Sequence, residues 1–327
     1  MMREVAWHAP GLRRLDRVVW ALVAAVAGLD LIAALIGGFH LAPGSYAAPG
    51  GTCLMLMLAA RYYGRWRNDH NLASALESTA QVIAFAAVAA PLSYVAAAAA
   101  LPLQDAAFDG MDRALGFDWK ALLAVMQRWP DFHLSMRVIY MSLSLQMTAI
   151  VLLLGFTGRL AWLRVYTLAF IFAALVTIAL SALLPAEGVW LHDGLHSTDP
   201  AVLPVSSSSW PVFLGLRDGS YRLLRAVGAE GIITFPSLHA ALAVILILAF
   251  WPVRLARWIG AGVNALMLVA TPIDGSHYLV DILAGSAIAV ACFFAARALV
   301  VRLAAHPHAD TTRAGLVPAQ GIVAPSR

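Results

Sequence analysis

Long apolar runs alternate with short polar segments along most of the chain. A helix needs roughly 20 mainly apolar residues to cross about 30 Å of hydrocarbon, and most of these runs approach that length. The pattern predicts membrane helices over residues 18–38, 47–61, 78–101, 138–156, 160–184, 237–252, 257–273 and 277–301. The predicted fold class is therefore all-α, a polytopic membrane helix bundle of about eight transmembrane helices.

The composition agrees with a membrane protein. Of the 327 residues, 61% are hydrophobic and only 12% are charged, about half of the roughly 25% found in an average soluble domain. The formal net charge of +4 comes from arginines in short clusters between apolar runs, so it indicates no nucleic-acid partner. Cys53 and Cys292 fall inside predicted helices and are interpreted as buried apolar residues rather than a disulfide or a metal pair.

Arginine placement predicts the orientation of the helices, because cytoplasmic loops are enriched in basic residues. Five clusters alternate consistently if both termini are cytoplasmic. They are Arg3, Arg13, Arg14 and Arg17; Arg61, Arg65 and Arg67; Arg159 and Arg164; Arg254 and Arg257; and Arg297 and Arg302. The alanine-rich, lysine-poor composition favours a bacterial inner membrane.

Two long segments, 102–137 and 185–236, then lie on the extracytoplasmic side. In the first, apolar residues recur at helical spacing, which predicts an amphipathic helix on the outer membrane surface. These residues are Leu115, Trp119, Leu122, Leu123 and Met126.

Two histidines stand at the ends of predicted helices, in "ITFPSLHAALA" and "GSHYLVDILAG". The arginine-based topology places His239 and His277 on the same side at the same depth. Asp281 follows His277 by four residues, so both share one helix face, where the carboxylate is able to orient the imidazole. Ser237, beside a helix start, is suited to binding backbone or an anion. Taken from the residues alone, an interfacial anchor, an inert helix-surface pair and part of a metal site stay open as alternatives.

The two stretches resemble the second and third signature motifs of the type 2 phosphatidic acid phosphatase (PAP2) superfamily. Pro-Ser-Leu-His followed by His-Tyr-x-x-Asp-x-x-x-Gly is more similar to the branch that contains inositol phosphorylceramide synthase and sphingomyelin synthase. Upstream, "DRALGFDW" is similar to segments of bacterial members of that branch. The resemblance implies a PAP2-like catalytic membrane core at 138–303. Residues 1–137 would form N-terminal membrane helices with an extracytoplasmic amphipathic segment, and 304–327 a disordered cytoplasmic tail.

By this resemblance His277 attacks phosphorus and forms a phosphohistidine, Asp281 orients it, and His239 protonates the leaving group and later acts as base. The implied activity is that of a lipid phosphatase or phosphotransferase on the extracytoplasmic face, with no metal and no cofactor. The substrate would be a phospholipid or polyprenyl phosphate drawn from the membrane lipids. The acceptor would be water or a hydroxyl compound.

The chain departs from the phosphatases of the superfamily. It has no Lys-x6-Arg-Pro motif, and Thr271 occupies the position of a motif arginine. These departures favour a transferase. The charge on a transferring phosphoryl group still needs cations or N–H donors. The predicted phosphate-binding residues are Arg217, Ser237, Arg222 and Arg225, with Arg217 the first choice among the arginines.

Other functions remain open from the sequence. The stretch "LHDGLHSTDP" spaces His192 and His196 like a metal pair, but acceptor binding or plain loop polarity explains it better. A transporter or binder of a phosphorylated lipid, acting without chemistry, is the alternative to an enzyme, and Asp30 inside the first predicted helix fits that alternative. Vanadium haloperoxidases share the histidine pocket, but they are soluble.

Overall fold

The computed structural model describes residues 9–197, 199 and 201–305. It is almost entirely helical. The helices are α1 (Ala9–Ile36), α2 (Ala47–Arg65), α3 (His70–Ala97), α4 (Asp105–Ala114), α5 (Trp119–Arg128), α6 (Pro130–Met141), α7 (Leu143–Phe156), α8 (Leu160–Leu183), α9 (Val189–His192), α10 (Trp210–Asp218), α11 (Leu238–Phe250), α12 (Ala256–Asp274) and α13 (Leu279–Ala305). Two-residue strands, β1 (His40–Leu41) and β2 (Leu223–Leu224), pair in parallel.

The structure places a helix at each of the eight predicted runs, and the fold class is confirmed. Within the described residues, five helices are long and apolar enough to cross a membrane: Arg14–Ile36 of α1, then α3, α8, α12, and Leu279–Leu303 of α13. The predicted span 138–156 is instead a pair, α6 and α7, bent by 48°, which makes a sixth span if the two helices act together. α2 does not meet these criteria, and α11 has only 13 residues.

The structure has a helix, α5, over most of the predicted amphipathic segment. It begins at Trp119, so Leu115 is not part of it. Gly116 has a φ of +77° and separates α4 from α5, which leaves Leu115 exposed. Trp119, Leu123 and Met126 are buried. They pack in one cluster with residues of α4, α6, α9 and α12. The apolar face of α5 thus contacts the rest of the protein.

α8 lies at the centre of the bundle, where it contacts α3, α11 and α13. It is apolar on all sides, as expected of a helix surrounded by other helices. Arg164, which the arginine pattern assigned to a cytoplasmic loop, is instead buried within α8. Its guanidinium pairs with Asp16 of α1 at 3.0 Å and donates to the hydroxyl of Ser78 of α3. A buried cation needs such partners, so Arg164 joins three helices and carries no information about orientation.

Candidate active site

His277 lies in the turn between α12 and α13. The backbone N–H of His277 donates to the carbonyl of Pro272 at 3.0 Å, and the Ser276 hydroxyl accepts from the N–H of Trp190 at 2.9 Å. Glycine at two positions makes this packing possible. A Cβ on Gly275 would lie 2.4 Å from the Cδ2 atom of the His277 ring, and one on Gly188 would lie 2.7 Å from the Ser276 carbonyl oxygen. The turn is thus held rigidly on both sides.

Asp281 fixes the imidazole of His277. An oxygen of its carboxylate lies 3.2 Å from Nδ1 of the ring and accepts from the Tyr278 N–H at 2.9 Å. Since a carboxylate accepts hydrogen bonds, Nδ1 carries the proton in this arrangement and the lone pair is on Nε2. The i, i+4 relation predicted from the sequence is therefore present as a contact.

Ser237 lies next to the other nitrogen, with its Oγ 3.2 Å from Nε2 of His277. It is the N-cap of α11, where its Oγ accepts from the Ala240 N–H at 3.3 Å, and its own N–H donates to the Asp281 carbonyl at 3.1 Å. With Oγ already accepting, its hydroxyl proton is available to donate to Nε2. A Cβ on Gly285 would lie 2.2 Å from the Ser237 carbonyl oxygen, so α11 and α13 approach closely here.

His239 follows two residues later, in the first turn of α11. Its ring stacks on that of Tyr140 of α6, with centroids 4.3 Å apart and planes 11° from parallel. His239 and His277 line the same cavity. The two histidines that the sequence paired thus face a common space, with the orientation of His239 set by the Tyr140 ring.

Burial keeps His277 neutral. The side chain is only 4% exposed, and burial lowers its pKa from 6.5 to about 4, an effect that a hydrogen bond to the Thr234 backbone opposes. The imidazole is therefore neutral at neutral pH, with a proton on Nδ1 only, which is the state that a nucleophilic role would require.

Two carboxylates of α4 support this turn, and the sequence prediction missed both. Asp112 accepts from the backbone N–H groups of Leu279 at 2.7 Å and Val280 at 3.0 Å, so it caps α13 from another helix. Asp105 accepts from the Tyr278 hydroxyl at 3.0 Å and from the Gly188 N–H at 2.9 Å.

Part of the contact between α4, α5 and the His277 turn could have been inferred from the sequence. Asp112 opens the "DRALGFDW" stretch and Trp119 closes it. The indole N–H of Trp119 donates to the Pro272 carbonyl at 2.9 Å. The stretch that carried the family resemblance therefore contacts both sides of the turn that contains His277.

The cavity has a volume of about 520 Å³. Its polar part contains the two histidines, Tyr140 and Thr234. Its apolar part is enclosed by α3, α7 and α8 through Ala86, Ala89, Ala90, Met147, Phe170 and Ala174. The space thus joins the His277 imidazole to an apolar recess among membrane-type helices.

The three arginines predicted to bind phosphate do not line this cavity. Arg217 donates to the Leu101 carbonyl at 2.9 Å. Arg222 donates to the Leu216 carbonyl at 2.6 Å. Arg225 lies beside Gly228. The placement of these arginines does not support their predicted role in phosphate binding, which stays a prediction. Of the predicted phosphate-binding set, only Ser237 contacts His277.

The loop whose histidines, His192 and His196, have the spacing of a metal pair lies outside this cavity. Asp193 pairs with Lys120 at 3.3 Å. His196 lines a separate surface pocket with Trp190 and Trp210. His192 is exposed at the end of α9. Neither histidine lines the cavity that contains His277.

A family model described as the PAP2 superfamily matches residues 106–295. The chain belongs to the PAP2 superfamily. The match extends from α4 into α13 and includes His239, His277 and Asp281. It crosses the predicted boundary between residues 1–137 and 138–303. No curated protein and no solved structure gave a significant match.

Membership of the PAP2 superfamily indicates a phosphatase-type lipid enzyme. The apolar helices indicate an integral membrane protein. The match identifies the superfamily and no branch within it. The closer resemblance to sphingolipid synthases therefore remains a hypothesis.

Proposed function

We propose that this protein is an integral-membrane lipid phosphotransferase or phosphatase that works through a phosphohistidine on the extracytoplasmic face. One observation carries the proposal: Nδ1 of His277 is held by Asp281, while Nε2 is directed towards Ser237 beside a cavity that His239 shares. The substrate is a phospholipid or a polyprenyl phosphate. The site faces outward if both termini are cytoplasmic, as the remaining arginine clusters predict.

The first half-reaction makes a bond from Nε2 of His277 to phosphorus. The P–O bond to the lipid alcohol breaks, and His239, which must be in its protonated imidazolium form when the phosphate is bound, gives that proton to the departing oxygen. In the second half-reaction the oxygen of water or of an acceptor hydroxyl attacks the phosphorus, its proton passes to His239, and the N–P bond breaks. His239 and His277 thereby return to their starting protonation states. Splitting one phosphoryl transfer into two easier steps is the advantage of a covalent intermediate.

The shape of the cavity supports a lipid substrate. Small alanines of α3 leave room for a chain beside Phe170 and Ala174 of α8. A phosphate at His277 would therefore have its apolar remainder among helices that also face the membrane. Displacement of the Ser237 hydroxyl from Nε2 would let the phosphorus approach.

We propose a transferase in preference to a hydrolase, because the chain departs from the motifs of the phosphatases. Thr271 replaces a phosphatase arginine, and its hydroxyl is buried and donates to the Met267 carbonyl at 2.7 Å, so it does not reach a substrate. This departure is shared with the sphingolipid-synthase-like branch that the motifs resemble. A bacterial inner membrane is the proposed location.

A transporter or binder without chemistry is the second candidate. Asp30 favours it: the side chain is buried in α1, and neither carboxylate oxygen has a hydrogen-bond partner among the described residues. Ionisable groups of this kind inside a membrane helix often belong to ion or substrate pathways.

The test uses the purified full-length protein in detergent with phospholipids, lipid phosphates and hydroxyl acceptors. Mass spectrometry follows both released phosphate compounds and new lipids. His277→Ala should abolish turnover, whereas His70→Ala, a matched change of an exposed histidine outside the cavity, should leave it unchanged. Turnover by His277→Ala equal to that of wild type would rule out the proposed nucleophile.

A further inference from the structure

Asp274 is buried at the carboxyl end of α12, a position that does not suit a carboxylate. The residue is completely buried and lies three positions before His277. The carboxyl end of a helix carries a partial negative charge and favours cations. A buried carboxylate is also costly unless a cation and hydrogen bonds compensate it. A residue that breaks a local rule in this way is expected at a functional site or where a structural contact requires it.

Arg137 of α6 supplies the compensating charge. Its Nε donates to Oδ1 of Asp274 at 2.9 Å. Nε2 of His133, one helical turn earlier in α6, lies 3.6 Å from the same oxygen. Residues four apart share one face of a helix, so this face of α6 is joined to the end of α12. The junction lies directly before the turn that contains His277.

The guanidinium of Arg137 also contacts a third segment. Its Nη2 donates to the carbonyl of Leu203, between α9 and α10. Shortly after Leu203, Val205, Ser206 and Ser208 line the cavity that contains the two histidines. Arg137 therefore joins three segments around this cavity, although it is not itself one of the residues that line it.

The next turn of α6 carries Tyr140, three residues after Arg137. The ring of Tyr140 stacks on that of His239, with centroids 4.3 Å apart. A movement of α6 would therefore move the surface against which His239 rests. The contact to Asp274 and the contact to His239 are thus linked through a single turn of one helix.

α6 has few other features that would fix its position. It has 12 residues and is bent by 48° from α7, so it does not continue a straight span. Its opposite face is exposed at Phe132, Leu134, Val138 and Met141. Charge-assisted hydrogen bonds are directional and fix a geometry. The ion pair therefore sets the position of α6 on α12 more narrowly than apolar contact alone.

We infer that Arg137 is a positioning residue whose ion pair with Asp274 sets the distance and orientation between His277 and His239. Asp274 holds the turn that contains the proposed nucleophile, and Tyr140 transmits the position of α6 to the proposed general acid. This inference rests on the proposed function for the roles of the two histidines. It goes beyond that function by assigning a role to an ion pair that takes no part in the phosphoryl transfer.

The first experiment measures the geometry without turnover. Purified full-length wild type, Arg137→Met and Arg137→Met/Asp274→Asn are treated with diethyl pyrocarbonate, and mass spectrometry follows the modification of each histidine. His239 and His277 should both react at least about threefold faster in the two variants, because local opening exposes rings that packing restrains. His70, which is exposed on α3, should react at the wild-type rate. Unchanged rates at His239 and His277 would overturn the inference.

The double variant keeps the test decisive if the single variant does not fold. Arg137→Met leaves Asp274 buried without this cation, whereas the double variant removes both charges, and uncharged replacement of a buried ion pair is often tolerated. The matched control is Arg164→Met/Asp16→Asn, which removes another buried arginine–aspartate pair, joined at 3.0 Å outside the cavity. The control should leave the reaction rates of His239 and His277 unchanged. An equal increase in the control would overturn the inference, because general loosening of the bundle would then explain the effect.

Turnover separates this inference from the proposed function. On a lipid that wild type converts, Arg137→Met/Asp274→Asn should lose roughly 10- to 100-fold in kcat with KM within about twofold, because misplaced groups slow the chemical step while the cavity lining is retained. Wild-type kcat in this variant would overturn the inference and leave the His277-dependent chemistry standing. If wild type converts no lipid, the proposed function fails, and the modification rates alone decide whether Arg137 positions the two histidines.

Discussion

The carboxylate of Asp112 accepts a hydrogen bond of 2.7 Å from the backbone N–H of Leu279, the first residue of α13. The first N–H groups of a helix have no partner within the helix, so a side chain must satisfy them when they are buried. Here that side chain comes from α4, far away in the sequence. The position of His277, two residues before Leu279, thus depends on a residue that has no part in the chemistry.

Asp112→Ala should therefore reduce both stability and turnover. Loss of a helix cap typically costs about 0.5–2 kcal/mol, and displacement of the adjacent turn should lower kcat by at least tenfold, because catalysis is sensitive to misplacement of about 1 Å. Asp118→Ala is the matched control, since Asp118 caps α5 through the Ala121 N–H at 2.9 Å without contact to the turn. Thermal unfolding and turnover are measured on both, and an equal loss of turnover would contradict the positioning role.

Gly275→Ala should displace the ring of His277. The new methyl group would lie 2.4 Å from Cδ2 of that ring and 2.7 Å from the Thr271 carbonyl oxygen, so the imidazole or the turn must move. A loss of roughly 100-fold in kcat is expected from such a displacement of the proposed nucleophile. Gly262→Ala on the same helix meets nothing within 4 Å and should be active. Similar turnover by both variants would show that the packing does not constrain His277.

The pH dependence of kcat/KM should reflect the buried state of His277. Its pKa is lowered from 6.5 to about 4 by burial, so the neutral form that the proposed mechanism requires persists well below neutral pH. Activity that depends on this group should be lost only as the pH falls through about 4. An acid limb near 6.5 in the pH profile of the free enzyme would contradict this.

The free energy of unfolding should also decrease as the pH falls. Because the folded protein favours neutral His277, the unfolded chain binds more protons between pH 6.5 and 4. The contribution of His277 is complete above about pH 6.5 and is lost as the pH falls towards 4. The Tm of wild type should therefore decrease more over this pH interval than the Tm of His277→Gln. Equal decreases would argue against a lowered pKa of His277.

Tyr140→Leu should impair His239 more than Tyr140→Phe does. The phenyl ring retains the 4.3 Å stacking that orients the imidazole, and leucine removes it. An aromatic contact of this kind is worth about 0.5–1.5 kcal/mol, which predicts a decrease in kcat of up to roughly tenfold for leucine only. Single-turnover kinetics report the chemical step directly, and equal rates for the two variants would show that stacking does not position His239.

The local sequence pattern was sufficient to predict the helices and the contact between His277 and Asp281. Apolar runs located helices at all eight positions, to within a few residues at most ends. Three helices begin well before the predicted residue: α1 at Ala9 rather than at 18, α3 at His70 rather than at 78, and α6 at Pro130 rather than at 138. His277 and Asp281 are four residues apart, so helical periodicity alone predicted their contact.

Contacts between distant segments were not readable in the same way. Asp112 and Leu279 are separated by 167 residues, and no local spacing relates them. Arg164 shows the opposite error: its position next to an apolar run indicated a loop, but Asp16 and Ser78 supply the partners that let it be buried. Periodicity describes one helix at a time, whereas these contacts depend on which helices become neighbours.

The contacts of α4 with the start of α13 also bear on the order of synthesis. The ribosome produces Asp105 and Asp112 long before Tyr278 and Leu279, with which they form hydrogen bonds. Until α13 is inserted, Asp112 lacks the backbone N–H groups that it caps, and His277 has no Asp281 beside it. The proposed activity therefore requires synthesis through α13, and a truncation before α13 removes both Asp281 and the N–H groups that Asp112 caps.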